Sequence, residues 1–133
     1  MIKINIVPDD SKVVAKVVII DDDMRVLMLK RSNYMKKYAG EWDLPGGHIR
    51  VGEDFNIGMK REVKEETDLD VDNLNFIEKI DNLSFFYCSY TNKPIKVSDE
   101  HVGFRFFKKD DLDSDKKFEK MALKALEMRN DQN

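Results

Sequence analysis

Cysteine is nearly missing from this chain. Cys88 stands alone, so no internal disulfide is available and the sequence reads as one made for a reducing, cytoplasmic compartment. Long apolar runs are missing too: Val17 to Ile20 and Val26 to Leu29 are short, far below the roughly 20 residues that a membrane helix needs. The opening MIKINIVPDD carries charge and proline where a signal peptide would be continuously apolar. Positive charge is not in excess: 23 Lys and Arg face 26 Asp and Glu, a net charge of −3. No overall field exists to hold a nucleic-acid backbone or an anionic membrane, so an anionic substrate must be captured locally or through metal ions. Histidine is limited to His48 and His101. Neither has partners at zinc-ligand spacing, which leaves them structural or rim roles.

What is present is a globular composition. With 133 residues, 41% of them apolar and 37% charged, the chain is expected to form one domain over 1–133 with a densely ionic surface. Val- and Ile-rich stretches over Ser11 to Ile20 and Arg25 to Leu29, parted by Asp21-Asp22-Asp23, predict a hairpin. Residues 32–48 lose periodicity and gather Gly40, Pro45, Gly46 and Gly47, a loop long enough to be functional. Asp54 to Thr67 lacks proline and repeats Phe55, Met59 and Val63 at intervals of four, which predicts a helix. Leu74 to Ile80, Leu83 to Tyr90 and His101 to Phe107 read as further strands. Ser114 or Asp115 is placed to cap a closing helix with Phe118, Met121, Ala122, Ala125 and Leu126 inward, before a frayed tail from Arg129. Strands around a central helix, with a second helix at the end, make an α/β or α+β sandwich.

The central helix carries charges on the wrong face. At about 100° per residue from Phe55, Glu66 falls near 20° and Glu62 near −20°, inside the apolar stripe; Glu65 borders it, and Lys60, Arg61 and Lys64 fall on the solvated side. Repulsion between neighbouring glutamates, their place at the negative end of the helix dipole and partial burial together cost about 1–3 kcal/mol. Either these glutamates are a solvated face relieved by an Arg61–Glu65 pair, or divalent cations neutralise them. All-oxygen ligands favour a hard ion such as Mg²⁺ or Mn²⁺. The turn Leu44-Pro45-Gly46-Gly47 ahead of the helix, whose backbone can approach an ion or phosphate closely, tips the balance to cations.

Gly47, five residues, Glu53, seven residues, then Arg61-Glu62-Val63-Lys64-Glu65-Glu66-Thr67-Asp68-Leu69 resembles the Nudix box, which is G-x5-E-x7-R-E-U-x-E-E-x-G-U with U aliphatic. Residues 47–69 match at every specified position but one. Asp68 stands where the family has its last glycine, at a helix end that favours left-handed backbone, and a modest stability cost is expected there.

The resemblance implies an α/β/α sandwich with a mixed β-sheet that hydrolyses the diphosphate bond of a nucleoside diphosphate linked to another group, using Mg²⁺ or Mn²⁺. Position by position it implies metal binding by Glu62, Glu65, Glu66 and the backbone carbonyl of Gly46. Glu62 is the first choice of general base; Glu100, with Asp99 behind it, is a further ligand or base. Arg61 and Glu53 resemble the pair that braces the loop against the helix. Lys30-Arg31 resembles a basic pair that reaches substrate phosphates, Arg31 being the better contact, unless both are surface residues closing an edge strand. Trp42 and Tyr34 are pocket candidates only, and Arg50 stands where many relatives are acidic. The implied partner is a small nucleotide diphosphate derivative rather than a nucleic acid or a membrane, with the chain a monomer or homodimer. Two other readings exist: a nucleotide-sensing module without turnover, against which Glu62, Glu65 and Glu66 argue, and an isoprenoid diphosphate isomerase, for which Cys88 is poorly placed.

Overall fold

A computed structural model describes residues 12–35 and 38–132; Ser11, the first residue of the predicted hairpin, lies outside them. The chain runs β1 (Val14–Ile20), β2 (Val26–Arg31), β3 (Trp42–Asp43), β4 (Gly46–His48), α1 (Phe55–Thr67), β5 (Asn75–Ile80), β6 (Leu83–Ser89), β7 (His101–Phe107), a 3₁₀ turn (Lys109–Asp111) and α2 (Lys117–Asp131).

The sheet is mixed. β1 pairs with β6 in parallel along its whole length, Val14 opposite Leu83 through Ile20 opposite Ser89, while the other strand pairs are antiparallel. β1 also pairs with β2 at the hairpin and with β4 near its start. β2 is not an edge strand, since β7 lies along it on one side and β3 closes its end on the other.

Because side chains alternate across a strand, β1 serves two cores. Ala15, Val17 and Ile19 pack with Met59, Val63 and Leu69 on the α1 side. Val18 and Ile20 pack with Phe85, Tyr87, Met121, Ala122 and Ala125 on the α2 side. The result is an α/β/α sandwich around a mixed sheet, as the motif implies.

The two helices differ in how they begin. Asp54 caps α1, its carboxylate accepting the Ile57 N–H at 3.0 Å. The N-cap of α2 is Lys116, without a side-chain hydrogen bond, so neither Ser114 nor Asp115 caps it. The carboxylate of Glu119 instead turns back to accept the Asp113 N–H at 3.1 Å, which fixes the approach to the helix without occupying its first free amides. Helical geometry continues through Asp131 rather than fraying at Arg129. The predicted loop 32–48 contains two short strands, β3 and β4, held by pairing to β2 and β1 rather than by any periodicity of their own.

Candidate active site

The site is built where the Leu44–Gly47 turn crosses the start of β1 and meets the inner face of α1. Gly46 has φ +127°, and a Cβ there would fall 2.1 Å from the Ala15 carbonyl oxygen; only glycine lets the turn lie this close to the strand. The Gly46 N–H donates to Glu66 Oε1 at 2.9 Å. A Cβ on Gly47 would fall 2.4 Å from Glu62 Oε2, so the second glycine clears the space that the Glu62 carboxylate fills. One turn thus brings the carboxylates of Glu62 and Glu66 together with the Gly46 carbonyl on the wall of a cavity of about 750 Å³.

Glu66 is buried, and its carboxyl is pushed up to about 8 by that burial, against the opposing pull of Lys16 and the Gly46 N–H and with help from Asp43 and Glu62. A carboxylate kept there is short of positive charge, which a cation would provide. Its chemistry suits a hard ion. Among the described residues, however, no three His, Cys, Asp or Glu side chains converge closely enough to hold a metal. Two of the glutamates, Glu62 and Glu65, are instead bound by Arg61. Its guanidinium binds Glu53 Oε2 at 2.7 Å, Glu62 Oε1 at 3.0 Å and Glu65 Oε1 at 3.0 Å, and donates to the His48 carbonyl at 3.3 Å. Arg61 therefore does not occupy the solvated side of α1; its long side chain folds back beneath the motif. Glu53 accepts two guanidinium N–H groups and the Arg50 N–H at 2.9 Å, and these bonds hold its carboxyl down at about 2.

The remaining predicted residues separate into two sets. Glu100, Trp42, His48 and Arg31 line the same cavity as Glu62 and Glu66. Glu65 is half exposed beside Arg61, with Arg50 3.9 Å away. Tyr34 is exposed and its hydroxyl donates to the Asp99 carbonyl, which ties together two loops at the rim. Trp42 packs edge-on against Phe107 at 4.9 Å, with Lys30 above its ring, and so is a packing anchor as well as a wall. Cys88 is buried in β6 and burial pushes its thiol up to about 12, which rules it out as a nucleophile.

Two residues of the candidate site escaped the sequence reading. Lys16, the one charge inside the apolar run Val13 to Ile20, and Asp43, directly before the turn, meet at 3.1 Å in the cavity wall. Asp43 Oδ2 also takes Arg31 Nη1 at 3.1 Å and lies 3.4 Å from His101 Nε2. Burial pushes the Asp43 carboxyl up, but His101, Lys16 and Arg31 together outweigh it and hold it at about 2. His101 is thus structural, anchoring the end of the Ser98–His101 loop that carries Glu100. That loop is fixed again by the Ser98 N–H on the Glu66 carbonyl at 3.2 Å and the Ser32 N–H on the Glu100 carbonyl at 2.9 Å. The signal available in sequence was a lone lysine in a strand otherwise fit for complete burial.

Comparison with known proteins bears on the fold and the family. An ADP-ribose pyrophosphatase of Methanocaldococcus jannaschii is 36% identical over 76 residues, 57% of this chain and 40% of that protein, so the chain spans well under two-thirds of this curated relative. Among solved structures, an ADP-ribose pyrophosphatase from Streptococcus suis superposes with a TM-score of 0.73 at 25% identity, covering 89% of this chain and 91% of that one. The MutT protein of Methanosarcina mazei superposes with a TM-score of 0.67 at 21% identity, over 90% and 94% of the two chains, a likeness of fold. The model of the NUDIX domain matches residues 10–127, and the chain belongs to that family.

Proposed function

We propose that this chain is a pyrophosphohydrolase that uses Mg²⁺, or Mn²⁺ in its place, to cleave the diphosphate bond of a nucleoside diphosphate linked to another group. The observation that carries this reading is the meeting of Glu62, Glu66 and the Gly46 carbonyl at one cavity wall. These three would hold the cation, with Glu65 and Glu100 as further ligands. Magnesium commonly takes only one or two protein carboxylates and completes its shell with water and substrate phosphate, so a wall with two inward glutamates suits it. When bound, the ion would screen the diphosphate charge and acidify a coordinated water.

The residues of the chain divide the remaining work. Glu62 is the first choice to accept a proton from the attacking water, with Glu100 and Asp99 as alternatives on the facing loop. Arg61, clamped by Glu53, sets the position of Glu62 through their hydrogen bond. Arg31 lines the cavity while held by Asp43, so it would meet a phosphate with its guanidinium already oriented.

The bond is specified more firmly than the group attached to it. ADP-ribose heads the panel to be tested because the Methanocaldococcus and Streptococcus relatives carry that activity in their names; nucleotide sugars, nucleoside triphosphates and capped or triphosphate RNA ends complete it. With Mg²⁺ or Mn²⁺ at least one substrate should release phosphate-containing products. Glu66→Gln or Glu62→Gln should lower kcat/KM by about 10²–10⁴-fold with the circular dichroism spectrum unchanged. Failure of every substrate with both metals would overturn the proposal and favour a nucleotide-sensing module.

A further inference from the structure

We infer that Lys16 is a positioning residue for the divalent metal, a strut that aims the Gly46 carbonyl; the inference rests on the metal site proposed above. The Lys16 ammonium donates to the Leu44 carbonyl at 3.2 Å and the Gly46 carbonyl at 3.1 Å, and lies 3.1 Å from Asp43 Oδ1. An ammonium has three N–H donors and no more, so all three are used. The side chain is 10% exposed and its fourth neighbour is the Phe118 ring, 5.5 Å away. Although Lys16 lines the cavity, it has no donor left for a phosphate and would have to surrender one of these bonds to make such a contact.

The two carbonyls it holds flank Pro45, in the turn that Gly46 allows to lie against β1. The Val17 N–H donates to the Pro45 carbonyl at 2.8 Å, so backbone and side chain of adjacent β1 residues grip three successive carbonyls of the turn. A carbonyl oxygen has two lone pairs. With one taken by Lys16, the second is left for a cation, and the direction of the first constrains the second. Asp43 lies against Lys16 and offsets part of its charge, so the strut holds the oxygen with less repulsion of the ion than a bare ammonium would give. This balance also determines the right experiment. Removing Lys16 alone would take a positive charge out of the site and draw cations in, masking the loss of geometry.

The test is therefore the double variant Lys16→Met with Asp43→Asn, which removes the bonds at constant net charge. Mn²⁺ affinity is measured by electron paramagnetic resonance on the full chain, with Lys60→Met and Asp72→Asn, an exposed ion pair at 2.9 Å outside the site, as a charge-neutral control. The strut predicts Mn²⁺ binding weaker by about tenfold or more in the double variant and unchanged in the control. It also predicts faster amide hydrogen exchange at Val17 and Gly46 in the metal-free double variant. Equal Mn²⁺ affinity in parent and double variant overturns the strut and leaves the metal site standing. Parent protein that binds no Mn²⁺ overturns both. Should the double variant not fold, Lys16→Arg keeps the charge but spreads its donors in a planar fork; it should bind Mn²⁺ several-fold more weakly, and parent-like affinity would overturn the inference.

Discussion

Two ionic clusters lie within a few residues of the same turn, and they are built on different principles. Around Arg61 the partners are Glu53, Glu62 and Glu65, all from α1 or the residues just before it, and Glu65 remains half exposed. Around Asp43, itself on β3, the partners are Lys16, Arg31 and His101, drawn from three other strands, and Asp43 is fully buried. The first cluster is held by local helix geometry and can exchange partners with water and ions. The second exists only after the sheet has formed, and its charges have no solvent to fall back on. Adjustable charges are thus grouped at the motif, and fixed ones beneath it.

Removing one carboxylate from each cluster should separate them most clearly. Asp43→Ala leaves Lys16 and Arg31 without their shared carboxylate and should cost about 3–5 kcal/mol in urea unfolding. Glu53→Ala removes charge-assisted bonds nearer the surface and should cost about 1–3 kcal/mol, while turnover of the best substrate falls through misplaced Glu62. Comparable losses of stability would erase the distinction.

Acid should act on both carboxylates with the same sign. Asp43 and Glu53 each sit at about 2 in the fold, below ordinary values of 3.8 and 4.5. Their contribution is complete above those ordinary values and is lost as pH falls toward 2. Glu66 has the opposite sign: raised to about 8 from 4.5, it favours the folded state while protonated and penalises it progressively between those values. Mg²⁺ or Mn²⁺ should therefore raise the thermal midpoint more at pH 8 than at pH 6, with protons released on binding. Equal stabilisation at both would show that Glu66 is not a ligand.

The smallest effect is expected at the end of α1. Asp68 adopts φ 65°, the left-handed geometry that glycine accepts without strain, and its carboxylate lies 3.4 Å from Lys64 Nζ. Asp68→Gly should stabilise by no more than about 1 kcal/mol, since relief of strain is offset by the lost ion pair and by added chain entropy. A change in kcat would contradict the purely conformational role.

These clusters also mark what the sequence could disclose. Glu53, Arg61, Glu62 and Glu66 were legible because 3.6-residue periodicity and a fixed motif constrain their neighbours. The strand β7 over His101–Phe107 and the helix α1 were legible for the same local reasons. The motif marked Arg61, but the wheel put it on the solvated side, because a wheel locates the Cα whereas its long side chain reaches around the helix. Lys16, Asp43 and His101 are separated by dozens of residues, and β3 and β4 are too short to show a period; only the pairing of β1 with β4 and of β2 with β3 and β7 brings them together.

The parallel partnership of β1 and β6 has a consequence for how the molecule is made. On a ribosome, the apolar strand Val14–Ile20 emerges well before Leu83–Ser89, and its hairpin with β2 covers only one end of it. Closing that long gap is entropically costly, so the central strand is completed late, and nascent chains halted before residue 83 should be the ones that chaperones capture and that aggregate.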